Sequence, residues 1–352
     1  MMSKHIFFAA VLLCFCVAAT AQEEAKKVDA DLSFMPQIHG TIRSKYEFQT
    51  EEGEGRFEVR TARVSFDGSV TDKITYKAEI DLCDEGSIKM LDAYTRLRLV
   101  KPFQITIGQM RVPFTIDAHR SPHQQYFANR SFIAKQVGNV RDVGMALAYN
   151  FNVGFPIVVE AGLFNGSGLT DQKNFWTNTV NFSAKVQMMF PQGFNLTLSL
   201  QKVRPDNVSV MMYDAGAYYH GNGWHVEAEY LFKHYAKDAF KNVHAVNSFV
   251  SYDIALRNKK SLVRYITPLV RYDFMTDHSD GMRYLDGEED TAGVLTINDY
   301  KRSRITAGLT FSFKKPFISD LRLNYEKYFY GHEGVAKTSE KDKIVLEVMT
   351  RF

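Results

Sequence analysis

The segment Val112–Arg141 carries Arg120, Arg130, Lys135 and Arg141 against a single carboxylate, Asp117, with His119 and His123 alongside and Arg111 at its entrance. Arginine donates through a planar fork that suits phosphate and carboxylate. Such cations gathered in a low-dielectric constriction raise the local concentration of anions and repel cations. The same segment holds Phe114, Ile116, Tyr126, Phe127, Phe132 and Ile133, which argue for packing rather than disorder. A loop this long in a compact chain is usually functional or disordered. The simple expectation is a loop folded into a lumen, narrowing it. A basic external loop bound to lipopolysaccharide phosphates, or buried in a subunit contact, is the competing use.

Other charges point the same way. Arg43, Lys45, Arg63, Lys77, Arg96 and Arg98 crowd the first hundred residues, while Glu227 and Glu229 lie far downstream. Walls of opposite sign would set a transverse field across a pore. Taken singly, each such charge most simply pairs with a neighbour and solvates a wall. No set of residues suggests catalysis. The acidic stretch Asp277–Asp290 has six carboxylates but lacks the ligand spacing of a calcium-binding loop, so a solvated external loop is expected. His332-Glu333 has no second histidine at metalloprotease spacing, and Gly166-Ser167-Gly168 is a turn rather than a nucleophile elbow. No cofactor, metal or enzymatic activity is expected.

Elements that could hold these residues are legible as alternation. Near the end of the chain, Ile344, Leu346, Val348, Thr350 and Phe352 share one face, and Val345, Glu347, Met349 and Arg351 the other. Near its start, Ile38, Gly40, Ile42, Ser44, Tyr46 and Phe48 oppose His39, Thr41, Arg43, Lys45 and Glu47. This is period 2, the signature of strands. About sixteen such segments run from Pro36 to Phe352, each near the ~10 residues a tilted strand needs to cross a bilayer. Even-numbered segments end in tight turns such as Thr71-Asp72, Lys101-Pro102 and Gly221–Gly223; odd ones often lead into longer loops. Aromatics such as Tyr149, Phe151, Phe194, Trp224 and Phe317 mark segment ends, as interfacial girdles do.

Residues 1–21 read as a secretory leader, with Lys4 ahead of the apolar run Ile6–Ala18 and Ala19-Thr20-Ala21 at the cleavage site. Residues 22–35 read as a periplasmic tail, and 36–352 as one barrel domain. Cys14 and Cys16 fall in the leader, so Cys83 alone remains and no intrachain disulfide forms. Removing Lys4 takes the formal charge from +3 to +2, too balanced to suggest nucleic acid. After the leader no apolar run is long enough for a transmembrane helix, yet a barrel of alternating faces also averages to a mean hydropathy of −0.24. In lipid every backbone amide must pair internally, which a closed barrel achieves and an open sheet does not. The expected fold is an all-β antiparallel transmembrane barrel with short periplasmic turns, long external loops, a polar water-filled lumen and an inward third loop.

Several stretches resemble the phosphate-selective porin O/P family: Phe57–Gly68 (FEVRTARVSFDG), Leu91–Tyr94 (LDAY), Ile107–Phe114 (IGQMRVPF), Arg141–Leu147 (RDVGMAL) and Leu163–Gly168 (LFNGSG). The resemblance implies a sixteen-stranded porin of the Gram-negative outer membrane, trimeric, passing small anions along a ladder of basic side chains. Carried onto this chain, the ladder is Arg43, Arg63, Arg96, Arg98, Arg111, Arg120, Arg130, Lys135 and Arg141. The near-neutral charge and many wall carboxylates fit general or mildly anion-preferring diffusion rather than strict phosphate selectivity. Two other readings compete: an outer-membrane barrel that binds or modifies lipid or sugar, and a secreted soluble β-sandwich.

Overall fold

The computed structural model describes residues 35–84, 86–138, 141–169, 172–205, 208–258, 260–284, 294–314 and 318–352. The leader and nearly all of the tail lie outside these residues, as do Phe317 and positions 285–290 of the acidic loop. Sixteen strands form one closed antiparallel sheet. They are β1 (Gln37–Gln49), β2 (Gly55–Thr71), β3 (Ile74–Asp84), β4 (Ser87–Val100), β5 (Phe103–Arg111), β6 (Arg141–Asn152), β7 (Pro156–Phe164) and β8 (Asn181–Met189). The second half comprises β9 (Phe194–Val203), β10 (Val210–Gly221), β11 (Trp224–Tyr235), β12 (Val243–Tyr252, continued by Ile254–Ala255), β13 (Val263–Met275), β14 (Arg302–Phe313), β15 (Ile318–Tyr330) and β16 (Lys343–Arg351).

Every strand pairs with its sequence neighbours, and β1 pairs with β16 to close the ring. Closure leaves no strand edge unpaired, the condition a barrel must meet in hydrocarbon. At the seam Gly40 and Phe352 exchange both backbone hydrogen bonds, at 2.8 and 3.0 Å. The Phe352 ring then lies over Gly40, where an added Cβ would sit 2.1 Å from it. Gly40→Val is therefore expected to dislodge the ring. Overpacking of this kind costs about 1–3 kcal/mol. The expected result is a lower yield of folded, heat-modifiable barrel on gels; an unchanged yield would show that the ring does not secure the seam.

The faces fall as alternation dictates. On β16, Val348 is 48% exposed on the outside, while its neighbour Glu347 is fully buried within. Ile42, Leu198, Val270 and Leu346 likewise face out, and Arg43, Glu79 and Arg322 face in. A water-soluble sandwich would place these apolar side chains at its centre. Aromatic pairs mark the short-turn end, including Trp224 with Tyr252 at 4.7 Å and Phe155 with Phe190 at 4.4 Å.

Two local features depart from simple alternation. Bulges displace the register between Arg43 and Ser44 against β2, and between Glu79 and Ile80 against β4. The second bulge leaves Met90 exposed and buries Leu91, which strict alternation places outside. By alternation and aromatic content the eighth segment reads as Phe175–Phe190, but the strand begins at Asn181, and Trp176 is 91% exposed in the loop before it.

Candidate functional site

The loop between β5 and β6 turns into the barrel. It forms short 3-10 turns at Asp117–His119 and Pro122–Gln124 and a π-helical turn at Ile133–Val137. Ser121 opens the second turn, its N–H donating to Gln124 Oε1 at 3.2 Å. The loop's apolar side chains decide where it docks. Val112, Phe114, Phe132, Ile133 and Val137 are buried against inward-facing Val203, Val210, Met212, Leu231, Tyr235, Val243, Ala245 and Met275. The barrel interior is therefore dry and apolar along β9–β13 on its long-loop half. The lumen is not polar all round, as alternation alone suggests.

Polar contacts fix the loop to the same wall. Ser183 Oγ donates to the Pro113 carbonyl at 2.8 Å, and Lys185 Nζ to that of Thr115 at 2.8 Å. The Thr115 N–H donates to Ser199 Oγ at 3.1 Å and the Ile116 N–H to Glu229 Oε1 at 2.5 Å. Arg120 forks onto both oxygens of Glu227, with one bond at 2.8 Å. Tyr126 stacks on His225, ring centroids 4.5 Å apart. Glu227 and Glu229 thus face the loop and hold it, with almost no exposure.

Beyond Tyr126 the loop crosses to the opposite side. The Ala128 N–H donates to Asn324 Oδ1 at 2.9 Å, and Arg43 donates to the Ala128 carbonyl at 2.6 Å. Asn129 donates to Glu326 at 3.0 Å and accepts from Lys45 at 3.0 Å. Arg271 and Arg304 donate to the carbonyls of Asn129 and Arg130, at 2.9 and 2.7 Å. These anchors (Ser183, Ser199, Asn324, Asn129) escaped reading from sequence, whereas His225 reads as a lumen or interface histidine. The detectable sign was the continuous apolar run at Val210–Tyr213, which marks a strand covered on both faces.

Three sizeable cavities lie beside the loop among the described residues. One of about 310 Å³ lies on the long-loop side, lined by Arg43, Arg60, Arg130, Lys135, Arg304 and Lys343 among others. A second, of about 500 Å³, opens at the short-turn end along β1–β4, with Arg63, Lys77, Arg96, Arg98 and His123 in its wall. The third, of about 620 Å³, lies under the loop against β7–β15, beside Tyr126, Tyr218 and His225.

The nine predicted cations divide by partner. Arg43 is bound to Glu347 at 2.5 Å, which also takes Arg322 at 2.7 Å. Arg63 pairs with Glu79 and Asp81, and Arg141 with Asp92 and Glu79, all within 3.2 Å. Arg120 is bound to Glu227. Lys135 is exposed in the upper cavity. The remaining four form no ion pair with a carboxylate among the described residues. Arg96 donates to Thr106 at 3.1 Å and lies over the Tyr94 ring; Arg98 is exposed beside it. Arg111 donates to the carbonyls of Ala118 and His119. Arg130 donates to the Arg120 carbonyl at 3.2 Å.

Electrostatics at the narrowing follow from this arrangement. Burial, with repulsion from Arg111, Arg63 and Arg43 opposed by Asp117, lowers Arg130 to about 9, so it stays charged at neutral pH. Burial first, then the nearby Arg351, pushes His123 down to about 4, and burial together with Lys185 and Arg111 lowers His119 well below its usual value. Both loop histidines are neutral at pH 7, and the loop's positive charge there belongs to arginine and lysine. Asp117 is held low, at about 2, by Arg120 and Arg130 against the cost of burial. No cluster of three potential metal ligands occurs among the described residues. In the acidic loop, Asp277 pairs with Lys241 and accepts the Lys301 N–H at 2.7 Å.

Comparison with known proteins places this geometry. The anion-selective porin from Comamonas acidovorans superposes with a TM-score of 0.59 at 12% identity, over 90% of this chain and 98% of that one. The outer membrane channel DcaP of Acinetobacter baumannii gives 0.59 at 14% identity, over 93% and 99%. OmpT of Vibrio cholerae, in its trimer form, gives 0.58 at 11%, over 91% and 99%. At these identities the likeness concerns the fold. No match is found among curated protein sequences. The profile of the family described as phosphate-selective porin O and P matches residues 37–258, more than half the chain. A closed sixteen-stranded barrel, a loop folded into its lumen and this match together show that the chain belongs to the phosphate-selective porin O and P family, as an outer-membrane porin of a Gram-negative bacterium.

Proposed function

We propose that this porin passes small hydrophilic solutes by passive diffusion, with a preference for small anions such as phosphate, and that the conducting path follows the β1–β5 wall. The observation that carries this reading is a set of four arginines that form no ion pair with a carboxylate among the described residues. Arg98 and Arg96 stand at the short-turn mouth, and Arg111 and Arg130 at the loop. On the opposite side the loop is sealed to β8–β13 by apolar packing and by Glu227 and Glu229. An anion moving between the 500 Å³ and 310 Å³ cavities would pass Arg98 and Arg96 in the wall of the first and Arg130 in the wall of the second, with Arg111 close to the loop between them. The paired cations Arg63 and Arg141 share Glu79, which leaves them little charge to offer. This favours a moderate preference over strict selectivity. The loop's docking inside the barrel supports its use as a constriction over its use as an external lipopolysaccharide contact.

A homotrimer fits this reading, because the Vibrio cholerae relative in fold is described as a trimer. Outer-membrane lipid would surround the assembly. The test is planar-bilayer recording of the folded protein in a potassium chloride gradient. Stepwise conductance with a reversal potential on the chloride side of zero is expected. A cation-side reversal potential would reject the anion preference, and folded protein without any channel activity would reject the pore.

A further inference from the structure

The outside of the barrel is mostly apolar, and among its basic exceptions Lys327 on β15 is bound to Asp342 whereas those on β9 and β11 stand side by side. No carboxylate points outward from the described strands. At the long-loop rim the outward residues of β2, β3, β4, β7 and β16 are Phe57, Leu82, Ile88, Leu163 and Ile344, all exposed. On β9 and β11 the corresponding residues are Lys202 and His234. Lys202 is opposite Met211, and Met211 is opposite His234, so the two basic side chains flank Met211 at one height. Two strand spacings, about 10 Å, separate them. The turn that follows β11, Ala236–Asp238, adds exposed Lys237 three residues beyond His234, with exposed Asp238 after it. Among the described residues neither Lys202 nor Lys237 has an ion-pair partner, whereas nearby Lys241 is bound to Asp277.

Below this row the wall is greasy and aromatic. Leu198 and Tyr213 are each 46% exposed, and Tyr213 stacks on Phe232 at 6.3 Å. The Tyr230 hydroxyl and His244 Nδ1 are hydrogen-bonded at 2.7 Å, setting polar groups at the edge of the belt. Cations immediately above an apolar strip match an amphiphile with an anionic head and hydrocarbon chains. A second copy of this chain fits less well, because no outward carboxylate of the strands could meet the lysines.

We propose that the β9–β11 face at the long-loop end binds the phosphate-bearing headgroup of an outer-leaflet lipid through Lys202 and Lys237, with acyl chains along Leu198 and Tyr213. The proposal rests on the outer-membrane placement of the barrel and does not depend on what the pore conducts.

The test is native mass spectrometry of the folded protein in detergent, titrated with lipid A carrying its phosphates, with dephosphorylated lipid A and with inorganic phosphate. The phosphorylated lipid is expected to stay bound, with the dephosphorylated form about tenfold weaker and inorganic phosphate unable to displace it. A cation near a membrane surface contributes about 1 kcal/mol, roughly fivefold in affinity. The double variant Lys202→Glu/Lys237→Glu should therefore bind at least tenfold more weakly. Arg264→Glu, exposed at the opposite end, should bind normally. Equal binding of the two lipid forms, displacement by inorganic phosphate, or unchanged affinity in the double variant would overturn the proposal. So would higher oligomers of the chain that disappear in that variant. Lys202→Gln/Lys237→Gln repeats the measurement should the charge-reversed protein not fold. Bilayer conductance of these variants should equal that of the original; its loss would count against the pore reading and not against the lipid site.

Discussion

Arg120→Glu should release the constriction loop and raise single-channel conductance. Arg120 joins Glu227 through both carboxylate oxygens, touches Asp117 at 3.2 Å and lies 5.1 Å from the Tyr126 ring centre. Glu227 is 1% exposed. Two buried carboxylates would then face each other with no cation between them. Removing one partner of such a pair costs about 3–5 kcal/mol. The neighbouring anchors, two hydrogen bonds at Thr115 and one at Ile116, hold the loop before this bridge and would not replace it. The loop's packing against Leu231 and Met212 and its anchors from Ala128 onward should hold both ends, so the stretch Asp117–Phe127 is the part set free. The charge-swapped double variant Arg120→Glu/Glu227→Arg should recover part of the original conductance, and the cycle of four proteins measures the coupling. Unchanged conductance and unchanged current noise in Arg120→Glu would show that this bridge does not position the loop.

The second large effect concerns selectivity. Arg130→Glu should move the reversal potential toward cations, and Arg111→Gln should do so by a smaller amount. Neither arginine is in an ion pair among the described residues, and Asp117, which Arg130 also stabilises, keeps Arg120 beside it at 3.2 Å. In water two unit charges at 5 Å interact by about 0.8 kcal/mol, and screening reduces this. The change acts with opposite sign on anion and cation, so a reversal of two charge units shifts their permeability ratio severalfold. Arg43→Glu is a different experiment, because it would leave Glu347 facing a new carboxylate with only Arg322 between them. Reversal potentials of the two selectivity variants that coincide with the original would place the ion path elsewhere.

How far the sequence reads is best seen on particular residues. Alternation of Ile344 to Phe352 and of Ile38 to Phe48 assigns outside and inside without error, because a strand's faces follow from its period alone. The same rule fails at Leu91, where a bulge adds one residue and reverses the face. It also overextends the eighth strand across Phe175–Val180, whose aromatic composition suits a strand but whose Trp176 stands in a loop. The inward course of Val112–Arg141 was legible from its length and its apolar content. The wall it chooses was not, since that depends on Val210, Met212, Leu231 and Met275 meeting across strands far apart in sequence. Cross-strand register likewise decides which cations are spent. Arg63 falls opposite Asp81 and so is paired, while Arg96 falls opposite Thr106 and is not. Glu227 and Glu229 read as an acidic face of the lumen, but composition alone could not show that the loop covers them.

The claim on which the account turns is that water and ions run along β1–β5 and are excluded from the side where the loop is docked. Thiol accessibility tests it most directly. In a Cys83→Ser background, a hydrophilic methanethiosulfonate reagent should block current through the Arg96→Cys protein and leave current through the Glu229→Cys protein unaffected. Rapid block at position 229 with no reaction at position 96 would contradict it.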